Sequence, residues 1–84
     1  MSKTTFKIKN TFDSNLSVIH ELEGFEFHLP LNEEITIEVE SKDGVSILLN
    51  IGLVDGEYVI GIIPELSFYK VYYKGENVFK KYLE

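Results

Sequence analysis

Two histidines, His20 and His28, stand close to carboxylates at Glu21 and Glu26. Imidazole beside carboxylate is the raw material of a metal site or an acid–base pair. The helical zinc-protease pattern needs histidines at i and i+4 on a helix, and neither spacing nor local pattern supplies it. Instead Leu16, Val18, His20 and Leu22 alternate with Ser17, Ile19, Glu21 and Glu23, and Phe25, Phe27 and Leu29 alternate with Glu26 and His28. In a hairpin turning at Glu23-Gly24, residues whose numbers add to 47 face each other. Leu22 then meets Phe25, His20 meets Phe27 and Val18 meets Leu29 on one apolar face, while His28 meets Ile19 on the other. A one-residue slip would set His20 against His28, but it would break that face, so register resists it. Histidines so placed share no metal, and His20 reads as a half-buried core histidine with one hydrogen-bonded nitrogen. We expect no metal and no cofactor.

The carboxylates Glu21, Glu23, Glu26, Glu33, Glu34, Glu38 and Glu40 are numerous enough to suggest acid–base work. Catalytic pairs need desolvation to bring a pKa toward neutrality, and most of these acids alternate outward into water. Asp13-Ser14-Asn15 and Asp55-Gly56-Glu57 are too short for a calcium loop, which spreads its ligands over about 12 residues. There is no glycine-rich phosphate loop and no cysteine, and the serines lack a nucleophile-elbow context. The expectation is a protein that is not an enzyme. The acids retain one functional reading: Glu21, Glu23, Glu26, Glu38 and Glu40 would form an acidic surface that neutralises a basic partner, as an immunity protein or phosphate-mimicking inhibitor does.

Phe68-Tyr69-Lys70-Val71-Tyr72-Tyr73-Lys74 is the most pointed segment. As a strand it places Phe68, Lys70, Tyr72 and Lys74 on one face. Interleaved aromatic and cationic side chains can stack bases or grip an acidic peptide, and tyrosine is favoured in binding hot spots. That row is the candidate protein-binding surface, which Lys7 and Lys9 would join if the terminal strands lie close together. In the structural alternative the lysines guard a sheet edge against aggregation.

The elements that must position these residues follow from a period of two. Ile35, Ile37 and Val39 alternate with Thr36, Glu38 and Glu40, and Phe6 and Ile8 with Lys7 and Lys9, the signature of strands with one buried face. Alanine is absent while Ile, Val, Phe, Tyr and Thr abound, which favours strand over helix. Turn signals at Asp13-Ser14-Asn15, Glu23-Gly24, Pro30-Leu31-Asn32-Glu33, Lys42-Asp43-Gly44, Asp55-Gly56, Pro64-Glu65 and Lys74-Gly75-Glu76 cut the chain at short intervals. The 84 residues therefore predict a single compact all-β domain over 1–84, an antiparallel sandwich or small barrel of six to eight short strands. Residues 45–51 and 58–63 are apolar on both faces, as strands covered on both sides are. Their cover is either the tail, where Val78, Phe79, Tyr82 and Leu83 form the stripe of a short C-terminal helix over 77–83, or a second copy of the chain. A final short strand is the alternative for the tail.

The chain carries 8 lysines against 14 acids, a net charge of −6. Residues 1–20 and 66–84 are each +2, while 21–65 are −10. That acidic middle disfavours nucleic acid and anionic lipid, and no run approaches the ~20 apolar residues of a membrane span. With no cysteine and no basic-apolar leader at its start, the chain is expected in the reducing cytoplasm.

The stretch from Glu21 to Glu34, ELEGFEFHLPLNEE, together with Val71-Tyr72-Tyr73-Lys74-Gly75-Glu76, resembles a pattern of small, uncharacterised bacterial β proteins. In these an acidic glycine turn precedes aromatic-x-Leu-Pro, and a Val-Tyr-x-x-Gly hairpin closes the chain. Asn32 stands here where a glycine is commoner. The resemblance implies a β fold and carries no activity with it. The function expected from the residues is non-enzymatic binding of a protein partner or self-association into a homo-oligomer. Neutralisation of a basic partner is the alternative, and a small-ligand pocket with His20 as its polar group is a third reading.

Overall fold

A computed structural model describes residues 2–21, 23–42, 44, 47–65 and 67–80. Its strands are β1 (Ser2–Lys9), β2 (Leu16–His20), β3 (Phe25–Leu29), β4 (Glu34–Ser41), β5 (Leu48–Val54), β6 (Glu57–Ile63), β7 (Phe68–Tyr73) and β8 (Glu76–Asn77). They form two four-stranded sheets, β1-β4-β7-β8 and β3-β2-β6-β5, packed on one core as a sandwich rather than a closed barrel.

Alternation does what it predicts. In β4, Ile35, Ile37 and Val39 are fully buried while Thr36, Glu38 and Glu40 stay partly in water. Against them pack Leu16, Val18, Leu29, Ile60 and Ile62 of the other sheet, with Tyr69, Val71 and Phe79 completing the core. Each such aliphatic side chain contributes about 1.5–3 kcal/mol on leaving water. Among the described residues helical backbone occurs only at Lys80. Residues 78 and 79 form a turn that drops Phe79 into the core. Tyr82 and Leu83, needed for the helical stripe, lie outside the described residues, as do Leu22, Asp43, Val45 and Ser46.

The β2–β3 hairpin departs from the expected register. Paired numbers add to 45, not 47: Leu16 faces Leu29, Val18 faces Phe27 and His20 faces Phe25, while His28 meets Ser17 rather than Ile19. The turn that follows His20 is closed by the Gly24 N–H donating to the His20 carbonyl at 2.9 Å, with Gly24 at φ 79. The wider turn brings Glu23 back to His20, at 2.7 Å. A shift of two residues leaves every side chain on its predicted face, so the apolar row survives it.

A second departure concerns direction. The strands were expected to pair antiparallel throughout, yet β2 and β6 pair parallel, Val18 beside Ile60 and His20 beside Ile62. Between them the chain crosses to the other sheet through β4 and returns through β5, so β6 arrives running the same way as β2. An interior strand buried on both faces reads as apolar throughout, which is what residues 58–63 do.

Turn chemistry holds the strand ends. Asp55-Gly56 and Lys74-Gly75 each take positive φ at both central positions (49 and 80, 50 and 84), the type I′ geometry that matches strand twist. Asn10, at the end of β1, is fully buried. Its side-chain amide donates to the carbonyls of Ser14 and Leu29, both at 3.0 Å, and its Oδ1 accepts the Phe12 N–H at 2.9 Å. Its backbone carbonyl accepts the Asn32 N–H at 2.8 Å. One side chain thus ties the β1–β2 connection to the β3–β4 turn, where Asn32 sits at φ 62, a conformation asparagine tolerates better than most residues.

Candidate functional site

His20 is more deeply buried than expected, 6% exposed, and both of its ring nitrogens are engaged. Nδ1 meets the Tyr69 hydroxyl and Nε2 meets Glu23 Oε2 at 2.7 Å. A carboxylate only accepts, so Nε2 carries the proton and Nδ1 accepts from the phenol. Phe25 and Tyr69 stack on the imidazole at 5.7 and 5.6 Å. The chain phenol–imidazole–carboxylate has the order of an activated nucleophile, but burial pushes the Tyr69 phenol well above its ordinary range and the Glu23 charge pushes it further. Phenolate is disfavoured, and the cluster's chemistry is that of a clamp joining β2 to β7 across the sandwich. His20 also lines a hollow of about 300 Å³ with Pro64, Ser67, Phe68, Lys70 and Asn77, and it presents no spare nitrogen to that space. His28 stands on the other face of its sheet, near Ser17 at 3.4 Å and Glu26 at 3.4 Å. Among the described residues no three metal-ligating side chains converge.

The aromatic–cationic row lies on the outer face of the first sheet, with Phe68 80% exposed, Lys70 exposed and Tyr72 half-buried. Lys74 sits in the β7–β8 turn and is drawn sideways. It pairs with Glu33 at 3.2 Å, and its ammonium lies 5.4 Å from the centre of the Tyr73 ring. The Tyr73 hydroxyl donates to Glu33 Oε1 at 2.9 Å. That hydrogen bond, and then Lys74, hold the Glu33 carboxyl below its ordinary value, while Glu33 raises Lys74. Lys7 and Lys9 reach the same face without joining the row, because β4 lies between β1 and β7. Cross-strand rows therefore read Lys3–Glu40–Phe68 and Thr5–Glu38–Lys70, and Lys3 pairs with Glu38 and Lys7 with Glu34, each at 3.5 Å.

The same geometry divides the acidic set. Glu38 and Glu40 stand in the lysine-flanked β4 row. Glu21, Glu23 and Glu26 belong to the β2–β3 hairpin of the other sheet, where Glu23 is committed to His20 and the Glu21 side chain lies over Gly61. No single described face gathers all five.

A different feature stands out on the second sheet. β5 is an edge strand, and its side chains Ile51, Leu53 and Val54 are 71%, 62% and 57% exposed. Ile51 pairs with Ile60 and Leu49 with Ile62, so these odd-numbered side chains belong to the core-facing side of the sheet, and among the described residues nothing covers the outer part of that side. Val54 and Glu57 flank the two-residue I′ turn as its hydrogen-bonded pair. The alternation from there turns the N–H and C=O groups of Leu49, Ile51 and Leu53 away from β6, toward the open edge.

The other three sheet edges carry protective devices. β1 presents Lys3, Lys7 and Lys9, β3 has five residues including Glu26 and His28, and β8 has two residues. Lysines, charges and shortness all discourage edge pairing. The seven residues of β5, Leu-Leu-Asn-Ile-Gly-Leu-Val, hold no charge and no proline. An apolar pattern on both sides, which by itself implies a covered strand, here belongs partly to an exposed edge. The usable signal was the lack of any charge between Leu48 and the Asp55-Gly56 hairpin.

Among the described residues no helix is long and apolar enough to cross a membrane. Compared with known family models, with curated proteins and with solved structures, the chain gives no match in any of the three.

Proposed function

We propose that this chain is a non-catalytic protein-binding module that receives a partner's strand along the open edge of β5. The observation carrying this reading is the contrast between one long, apolar, uncharged edge and three guarded ones. Strand addition supplies affinity through main-chain hydrogen bonds and selectivity through alternating side chains. Leu49, Ile51 and Leu53 offer both, with outward backbone groups and an apolar row on the inner side. Two polar clusters among the described residues, Tyr69–His20–Glu23 and Tyr73–Glu33–Lys74, are engaged internally. The exposed Phe68 row would then serve as a secondary contact on the opposite sheet.

The test is photocrosslinking in the native cell, with p-benzoylphenylalanine placed at position 51 and, as a control, at position 9 on the lysine-bearing edge. A discrete polypeptide adduct from position 51 alone is the expected result. Absence of any adduct from position 51, or equal adducts from both positions, would remove the support for an edge-binding module.

A further inference from the structure

Resting on that reading, we infer that the partner strand is β5 of a second copy of this chain, paired antiparallel about a two-fold axis at Ile51. The argument is one of self-complementarity. An isologous interface sets residue i of one copy against j of the other and j against i. With β5 spanning Leu48–Val54, the register that uses all seven residues pairs numbers adding to 102. Ile51 then meets Ile51 of the second copy, Leu49 meets Leu53, Leu48 meets Val54 and Asn50 meets Gly52.

Each of those pairings suits its site. Leu49, Ile51 and Leu53 carry the outward N–H and C=O groups, and this register sets them opposite one another, so the unpaired donors and acceptors of both edges are satisfied together. On the inner side the three apolar side chains of each copy join into one row. On the outer side Asn50 lies across Gly52, and a glycine within a strand often marks close approach of another chain. Nothing in this structure lies within 4 Å of a Cβ at Gly52.

Charge selects the same occupant. Two copies, each with net charge −6, repel one another as wholes, whereas the strand from Leu48 to Val54 is neutral. Asp55, the first acid beyond it, falls opposite Ile47 and not opposite another carboxylate. A partner with a charged strand would find no counter-charge on β5, and a neutral, equally apolar strand is what the chain itself supplies. The product is an eight-stranded sheet of order β3-β2-β6-β5-β5-β6-β2-β3, in which the unguarded edge of each copy is removed.

The experiment uses the full chain, which contains no cysteine, so an introduced one is a clean reporter. Sedimentation of the wild-type chain over rising concentration is expected to show a dimer. Ile51→Lys, at an exposed position, is expected to weaken it at least tenfold with the far-ultraviolet β spectrum unchanged. Under mild oxidation Ile51→Cys is expected to form a covalent dimer, because a hydrogen-bonded antiparallel pair sets its Cα atoms about 5.5 Å apart, within disulfide reach. Val54→Cys is not, because its symmetry mate lies about 20 Å away at strand spacing. A monomer at every concentration, a dimer indifferent to Ile51→Lys, open-ended aggregation, or equal crosslinking from Val54→Cys would each overturn the second copy as occupant. The edge-binding reading fails separately. An in-cell adduct from position 51 whose mass differs from two chains keeps that reading and overturns this one, and no adduct at all removes both.

Discussion

Tyr69 shows how a buried side chain that could ionise is held neutral by its surroundings. Its hydroxyl has left water and looks toward His20, with the Glu23 carboxylate on the far side of the ring, so the charged phenolate meets both a desolvation penalty and a like charge. The folded-state pKa is therefore above the unfolded value of about 10. A raised pKa of this kind leaves stability unchanged below that unfolded value and removes it as pH rises further, since the folded state then holds a proton the unfolded chain has released. Thermal melts are expected to weaken above about pH 10, and Tyr69→Phe should flatten that alkaline limb while lowering stability at neutral pH. An unaltered limb in the variant would refute the assignment. Glu33 has the opposite sign: the Tyr73 hydroxyl and Lys74 favour its carboxylate, so what the cluster contributes is present above the unfolded carboxyl pKa and lost as pH falls through the folded one. A carbon-detected titration of Tyr73→Phe is expected to find the Glu33 pKa displaced upward toward its ordinary value.

At the scale of elements, what matters is how strand ends and edges are finished. The Asn10 side chain reaches three carbonyls, of Ser14, Leu29 and Pro30, and one N–H from a fully buried position. Asn10→Ala leaves those backbone groups unpaired and is expected to cost about 1–3 kcal/mol in denaturant unfolding. The Asp55-Gly56 turn needs left-handed backbone at both positions. Gly56→Ala is expected to cost about 1–2 kcal/mol, whereas Gly52→Ala, on extended backbone, should leave the isolated chain nearly unaffected. Much of this was legible beforehand. The two I′ hairpins follow from Asp-Gly and Lys-Gly between alternating runs, and the faces of β4 follow from Ile-Thr-Ile-Glu-Val-Glu. The width of the β2–β3 turn was not, because a two-residue and a four-residue loop preserve the same alternation, and the wider one is seen only in the tertiary contact of Glu23 with His20.

The whole molecule contrasts a saturated interior with an unfinished border. Ile37 and Ile51 are both isoleucines in strands, yet one is fully enclosed between the sheets and the other stands 71% in water. Ile37→Ala is expected to destabilise the chain by about 2–5 kcal/mol, and Ile51→Ala by no more than about 0.5 kcal/mol, as measured by urea unfolding at concentrations too low for association. A reversed order would mean that the border, not the interior, holds the fold. The charge pattern also acts at this scale. One strand from each of the three charge blocks lies on the same sheet, with the β4 acids between the lysines of β1 and those of β7. Charges far apart in sequence thereby neutralise one another, and neither a basic patch nor an acidic one stands alone on that face.

Alternation, turn residues and the missing alanines were enough to decide that this chain is all-β, roughly where its strands are cut, and which side chains of β1 to β4 face inward. Those properties are local: successive side chains of an extended backbone must point to opposite sides, and a tight turn needs the backbone freedom that particular residues provide. The neighbours of each strand were decided only in three dimensions. Backbone N–H and C=O groups are the same on every residue, so hydrogen bonding across a sheet carries no residue code, and apolar faces of similar size can be paired in several orders. Hence the parallel contact of β2 with β6, the acidic strand set between two basic ones, and the open edge at β5 came from the tertiary structure, and it is that edge on which the proposed function stands.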